Sequence, residues 1–143
     1  MWCEDCYGKL DKLIGTHWID LKKAKLSSLG FVPVYFERKS DHTFSLWTYY
    51  DYKGIAAPSP EIVFEAQPDK RLVNVLSKED YFSHGESTPQ REYLEVSAES
   101  NNNDTKKLQR ELNNYLSEWL QILIEENFEL VEEKNERNTR NCV

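Results

Sequence analysis

No apolar run in this chain approaches the ~20 residues that cross a bilayer as a helix, so no membrane association is expected. The first residues lack both the basic start and the apolar stretch of a secretory signal, so a cytosolic protein is expected. There the 3 cysteines are expected as thiols rather than as a disulfide framework. Gly-rich phosphate loops and nucleophile elbows are missing, and His17, His42 and His84 do not cluster. Basic residues are outnumbered, 18 Lys and Arg against 25 Asp and Glu, for a net charge of −7. Phosphate backbones select the opposite balance, so nucleic acid is not an expected partner. Lys22, Lys23 and Lys25 are the best candidates for a local basic patch, and they read as solvated surface. No catalytic residue, cofactor site or metal site is assigned on these grounds, and the balance leans away from an enzyme.

What the chain does have is a legible fold. Its 143 residues suit a single domain with a real core. From Asp104 to Glu126, large apolar residues fall at Leu108, Leu112, Tyr115, Leu116, Trp119, Leu120 and Leu123. Steps of three and four make one broad stripe on a helix. Asp104 is an expected N-cap, and Asn127 an expected left-handed stop. Cys3, Cys6, Tyr7, Leu10, Leu13 and Ile14 predict a shorter helix over 3–14, ended by Gly15-Thr16.

Between the helices the period changes to two. Trp18-Ile19-Asp20-Leu21 reads as a weak first strand, and Phe31–Arg38 and Thr43–Asp51 as a hairpin around Lys39-Ser40-Asp41-His42. Gly54–Pro60 reads as a loop. Glu61–Ala66 and Arg71–Ser77 form a second hairpin around Gln67-Pro68-Asp69-Lys70, with Pro68 where a type I turn favours it. Residues 78–90 read as a polar connection, Gln90–Ser97 as a further strand and Phe128–Val131 as a last short one. Strands between segregated helices predict α+β. The expectation is an antiparallel sheet of five or six strands with both helices on one face, spanning residues 1–131. Residues 132–143 are expected to be a charged, frayed tail.

Two groups attract chemical readings. Cys3-Glu4-Asp5-Cys6 has the CxxC spacing of redox pairs, in which a helix start lowers a thiol pKa. Against that, Glu4 and Asp5 place negative charge beside a thiolate, the helix start is expected to fray, and no strand precedes it. A zinc site would need two more ligands from Cys142, His17, His42 and His84. The preferred reading makes Cys3 and Cys6 small apolar residues on the buried helix face. The second group is the aromatic set Trp47, Tyr49, Tyr52, Tyr81, Phe82 and Tyr93. With helices on one sheet face, rings on the other would suit a partner or a flat ligand. Glu37, Asp41 and His42 surround one turn, which is expected to cap itself.

Three blocks resemble one family. Trp2-Cys3-Glu4-Asp5-Cys6-Tyr7 with Leu10 and Leu13, Val34-Tyr35-Phe36-Glu37 through His42-Thr43, and Asn113-Asn114-Tyr115-Leu116-Ser117-Glu118-Trp119-Leu120 are similar to the opening, first hairpin and closing helix of the bacterial YqiB-like proteins. The chain departs from that pattern at Cys6, where the family has Asn, and at Val63-Phe64-Glu65-Ala66-Gln67, where an Arg and a Tyr-His-Asp run stand. The resemblance implies a small bacterial cytosolic protein and points to no activity. The functional expectation is therefore a non-enzymatic protein-binding or self-associating module that uses an aromatic sheet face. The alternative is a small-ligand or enzymatic cleft beside the sheet with His42, His84 or Tyr93 as anchors, and a more distant one is zinc or redox chemistry at Cys3 and Cys6. Trp119 is expected to anchor the long helix on the sheet.

Overall fold

The computed structural model describes residues 2–52, 55–82, 90–96 and 103–135, with the backbone alone at 50–52, 55–58, 82 and 135. Helix α1 (Glu4–Leu13) is followed by a 3₁₀ turn (Trp18–Asp20) and six strands: β1 (Leu21–Ser27), β2 (Val34–Ser40), β3 (Thr43–Tyr52), β4 (Ile55–Gln67), β5 (Leu72–Phe82) and β6 (Gln90–Glu95). Helix α2 (Asn103–Glu125) and strand β7 (Glu129–Asn135) complete the chain. All described strand pairs are antiparallel, in the order β6-β5-β4-β3-β2-β1-β7. The fold is α+β as the pattern predicts, with seven strands rather than five or six.

The extra strands are the ones that charge disguises. β1 carries Lys22, Lys23 and Lys25 between the buried Leu21, Ala24 and Leu26. Register shifts against β7 break its alternation, so it reads as a solvated basic run. β7 takes in residues 132–135, assigned above to a frayed tail, and lies at the sheet edge beside β1. Its Glu132, Glu133 and Lys134 are the charged residues that keep an exposed edge from pairing with other chains. β4 likewise starts at Ile55 and absorbs most of the expected loop, and β5 runs on to Phe82.

Helix α2 follows β6 at one edge and precedes β7 at the other, so it has to cross the sheet. Its 23 residues at about 1.5 Å each span about 34 Å. Six inter-strand gaps of about 4.8 Å make the sheet about 29 Å wide. α2 starts at Asn103, which puts Asp104 inside the first turn rather than at the cap. The stop is where the sequence places it: Asn127 has φ 61°. Phe128 N–H donates to Leu123 O at 3.0 Å and Asn127 N–H to Ile124 O at 3.1 Å. That is a Schellman closure, with Phe128 and Leu123 buried together beneath it.

One hydrophobic cluster joins α1 (Cys6, Tyr7, Leu10, Leu13), α2 (Leu112, Leu116, Leu120, Leu123) and one face of the sheet. Trp18, expected in a strand, instead sits in the 3₁₀ turn with no exposure at all. Its ring meets Tyr7 at 5.0 Å, Phe44 at 5.2 Å and Phe36 at 6.1 Å, all edge-on. Phe36, Phe44 and Phe64 stack across β2, β3 and β4 at 5.4 and 5.8 Å. The indole N–H donates to Asp11 Oδ1 at 3.0 Å, and the other Asp11 oxygen pairs with Arg71 at 2.6 Å. Trp119, by contrast, is only partly buried at the margin of the cluster, so the central anchor is Trp18.

The outer edge of β5 is closed in three stages. Ser77–Phe82 pair with β6, and Val96 N–H donates to Leu76 O at 2.9 Å. At Val75 two buried side chains of α2 take over: Val75 N–H donates to Asn113 Oδ1 at 2.8 Å, and Gln109 Nε2 donates to Val75 O at 2.7 Å. At Val73 the backbone of Cys3 forms an antiparallel bridge, with N···O distances of 2.7 and 3.0 Å. The start of α1 is thus tied down by a strand-like residue, contrary to the frayed start expected above.

Trp18→Ala is expected to lower the free energy of unfolding by about 3–5 kcal/mol, the usual loss for a buried aromatic. Trp119→Ala is expected to cost clearly less. Urea denaturation of the two variants checks this ranking, and equal losses would contradict it.

Candidate functional site

The helices cover one sheet face, and alternation along the strands fixes what the other carries. One row runs in register across six strands as Lys25, Tyr35, Trp47, Glu61, Glu79 and Tyr93. The next row is Lys23, Glu37, Ser45, Val63, Ser77 and Glu95. Tyr35 stacks on Trp47 at 5.6 Å and meets Tyr49 edge-on at 5.5 Å. Lys39 Nζ lies 5.9 Å over the Trp47 ring. Beside them Ser45 Oγ, fully buried under its larger neighbours, donates to Glu61 at 2.8 Å.

A second cluster occupies β5 and β6. Arg91 pairs with Glu79 at 2.9 Å, Tyr81 O–H donates to the same carboxylate at 3.1 Å, and the Arg91 guanidinium lies 5.0 Å over Tyr93. The hydrogen bond from Arg91 holds the Glu79 carboxyl below its ordinary range. Tyr49 and Tyr93 remain 43% and 44% exposed.

Of the aromatic set expected from sequence, Trp47 and Tyr49 meet in one cluster, and Tyr81 and Tyr93 belong to the other. The Tyr52 and Phe82 side chains lie outside the described residues, as does His84. Tyr35 is the member that sequence reasoning left out. Its place in β2, between the buried Val34 and Phe36, was the available signal. His42 is exposed in the turn between β2 and β3, whereas Tyr93 is in β6 with β3, β4 and β5 between them. The proposed anchors of a ligand cleft are therefore not brought together. The Glu37, Asp41 and His42 turn closes on itself, with Arg38 donating to Asp41 O at 3.2 Å. A groove of about 570 Å³ exists between α1 and α2, lined by Glu4, Asp5, Lys9, Lys12 and Gln121 among others.

The thiol pair has its own geometry. Cys3 is the N-cap of α1, and its sulfur accepts from Cys6 N–H at 3.2 Å. Cys6 is fully buried, and its thiol also reaches Asn113 O at 3.5 Å. The neighbouring Cys6 side chain, together with the Cys6 backbone N–H at 3.2 Å, holds the Cys3 thiol down to about 6 from 9.0. Burial and Asp5 pull the other way. The adjacent Cys3 sulfur, together with burial, pushes the Cys6 thiol up. Both are free thiols. Among the described residues no group of three or more Cys, His, Asp or Glu is placed to hold a metal ion. His17 and His42 sit exposed in separate turns, and Cys142 lies outside the described residues.

The folded state releases the Cys3 proton before the unfolded chain does. This stabilisation is fully present above the free value of 9.0 and is lost as pH falls through about 6. In reducing buffer the native protein is expected to gain stability as pH rises across that window, relative to Cys3→Ser. Denaturant midpoints measured at several pH values read this out, and parallel curves for the two proteins would contradict it. No family model matches the chain, and neither a curated protein nor a solved structure matches it.

Proposed function

We propose that the open sheet face is a self-association surface that pairs the protein with a second copy of itself. The observation that carries this reading is a ring cluster flanked by opposite charges. Tyr35, Trp47 and Tyr49 occupy the middle of the face. On the β1–β2 side Lys23, Lys25 and Lys39 outweigh Glu37. On the β4–β6 side, among the described residues, Glu61, Glu65, Glu79 and Glu95 outweigh Arg91. On β7, Glu132 and Lys134 stand beside Lys25 and Lys23 and cancel.

Such a face is complementary to itself in one arrangement. A two-fold axis lying in the interface along β3 turns the face over and exchanges left for right. The basic half of each copy then lies over the acidic half of the other, with the rings between. An axis across the strands would set like charges together. The area suffices: about 29 Å of width and about 23 Å of strand length give a footprint on the order of 650 Å², near the roughly 800 Å² per partner of stable interfaces. The charged outer strands disfavour edge-to-edge pairing, which leaves the face as the route to association.

Sedimentation over a concentration series tests this. The wild type is expected to dimerise, more weakly as salt rises. Trp47→Ala is expected to raise the dimer Kd by ~30-fold or more, as loss of a central aromatic anchor worth about 2 kcal/mol would. Lys23→Glu with Lys25→Glu, and separately Glu65→Lys with Glu95→Lys, are each expected to be monomeric alone and to pair when mixed. A wild type that stays monomeric at high micromolar concentration overturns the proposal, and so does a mixture of the two charge variants that fails to pair.

A further inference from the structure

The sheet face makes no use of the thiol pair at the other side of the fold. We infer that Cys3 and Cys6 form a dithiol–disulfide exchange site, with Cys3 as the attacking sulfur, Cys6 as the resolving sulfur and an accessible external disulfide as substrate. The two cysteines occupy the N-cap and third position of α1. That is a CxxC pair across the first turn of a helix, the spacing of redox-active pairs. Their environments differ in the sense the chemistry needs. Cys3 is only partly buried, and its sulfur faces the backbone N–H groups of the helix start, accepting from Cys6 N–H at 3.2 Å. Cys6 is fully enclosed against α2 and cannot be reached by an external disulfide before Cys3.

The context that the sequence lacks is supplied from a distance. Cys3 is bridged to Val73 by two backbone hydrogen bonds, so the motif begins on a strand-like residue at a sheet edge. This fixes the N-cap sulfur in place instead of leaving it on a frayed end. Asp5 opposes the thiolate and Lys9 favours the neighbouring thiol's ionisation. The Asp5 carboxylate is itself engaged by Lys9 at 2.9 Å and by the Ser117 hydroxyl, which turns part of its charge away from Cys3.

The exchange is balanced without any other reactant. The Cys3 thiolate attacks one sulfur of R–S–S–R, forms a mixed disulfide and expels the first thiolate, which is protonated by water. Cys6 then attacks the Cys3 sulfur, the Cys3–SR bond breaks, and the Cys6 proton leaves with the second RSH. The dithiol is oxidised by two electrons, and the external disulfide is reduced to two thiols. Closure of the ring removes the Cys6 thiol from Asn113 O, so the redox state is felt where α2 holds β5.

Bis(2-hydroxyethyl) disulfide is a suitable uncharged probe, with full-length reduced protein carrying Cys142→Ser. Mass spectrometry after acid quench is expected to find a Cys3–Cys6 disulfide, lighter by two hydrogens, with two thiols released per chain. At pH 7 the first step is expected to run roughly two- to four-fold faster than with free cysteine, more thiolate being offset by lower nucleophilicity. Cys6→Ser and Cys6→Ala are both expected to stop at the mixed disulfide on Cys3, and Cys3→Ser to remain unmodified. Accumulation of mixed disulfide in protein that retains Cys6 overturns the inference, as does modification of Cys6 in the native Cys3→Ser protein. Dimerisation that survives Cys3→Ser separates this site from the sheet face.

Discussion

The fold depends on how the outer edge of β5 is completed. β6 covers only its later half. The earlier half lies under the helices, where an unpaired backbone group costs on the order of 1–3 kcal/mol. The chain meets that demand with a backbone bridge at Val73 and with the amides of Gln109 and Asn113 at Val75. Gln109 and Asn113 are buried polar residues on an otherwise apolar helix stripe. Leucines in their places would bury as well but would leave Val75 unanswered. Apolar burial gives α2 its adhesion, and these two amides give it its register on the sheet.

From that junction the rest is constrained. The Cys3 bridge brings α1 onto the same sheet face as α2, and Cys6 meets α2 at Asn113 O. Trp18 then fills the space between α1 and the Phe36, Phe44 and Phe64 ladder. With both helices on one side, Tyr35, Trp47 and Tyr49 are left on the other, between fields of opposite charge. The same bridge holds the Cys3 sulfur at a fixed helix start. The two candidate sites are thus opposite consequences of one closure, a bare aromatic face on one side and an ordered thiol pair on the other.

What was legible in the sequence was local. The stripe of α2, the Asn127 stop, the two central hairpins and the face alternation of β3 and β4 follow from periods of 3.6 and two. What was not legible required partners far along the chain. β1 and β7 are edge or near-edge strands whose charge imitates surface and tail, and they pair only because α2 carries the chain across the sheet. Trp18 lies in a turn whose burial is set by rings from three strands. The surroundings of the CxxC motif were not legible either. Cys3 finds its strand-like partner at Val73, and Asp5 does raise the thiol, as the sequence suggested, but the side chain and backbone N–H of Cys6 outweigh it.

Native-state amide hydrogen exchange at Val73 and Val75 tests the central claim most directly. If the Cys3 backbone and the Asn113 amide complete the β5 edge, both amides exchange only through global unfolding, as slowly as the central amides of β3 and β4. Asn113→Leu then speeds Val75 while leaving those central amides paired. Exchange of Val73 and Val75 as fast as the outward-facing amides of the β7 edge would contradict the account.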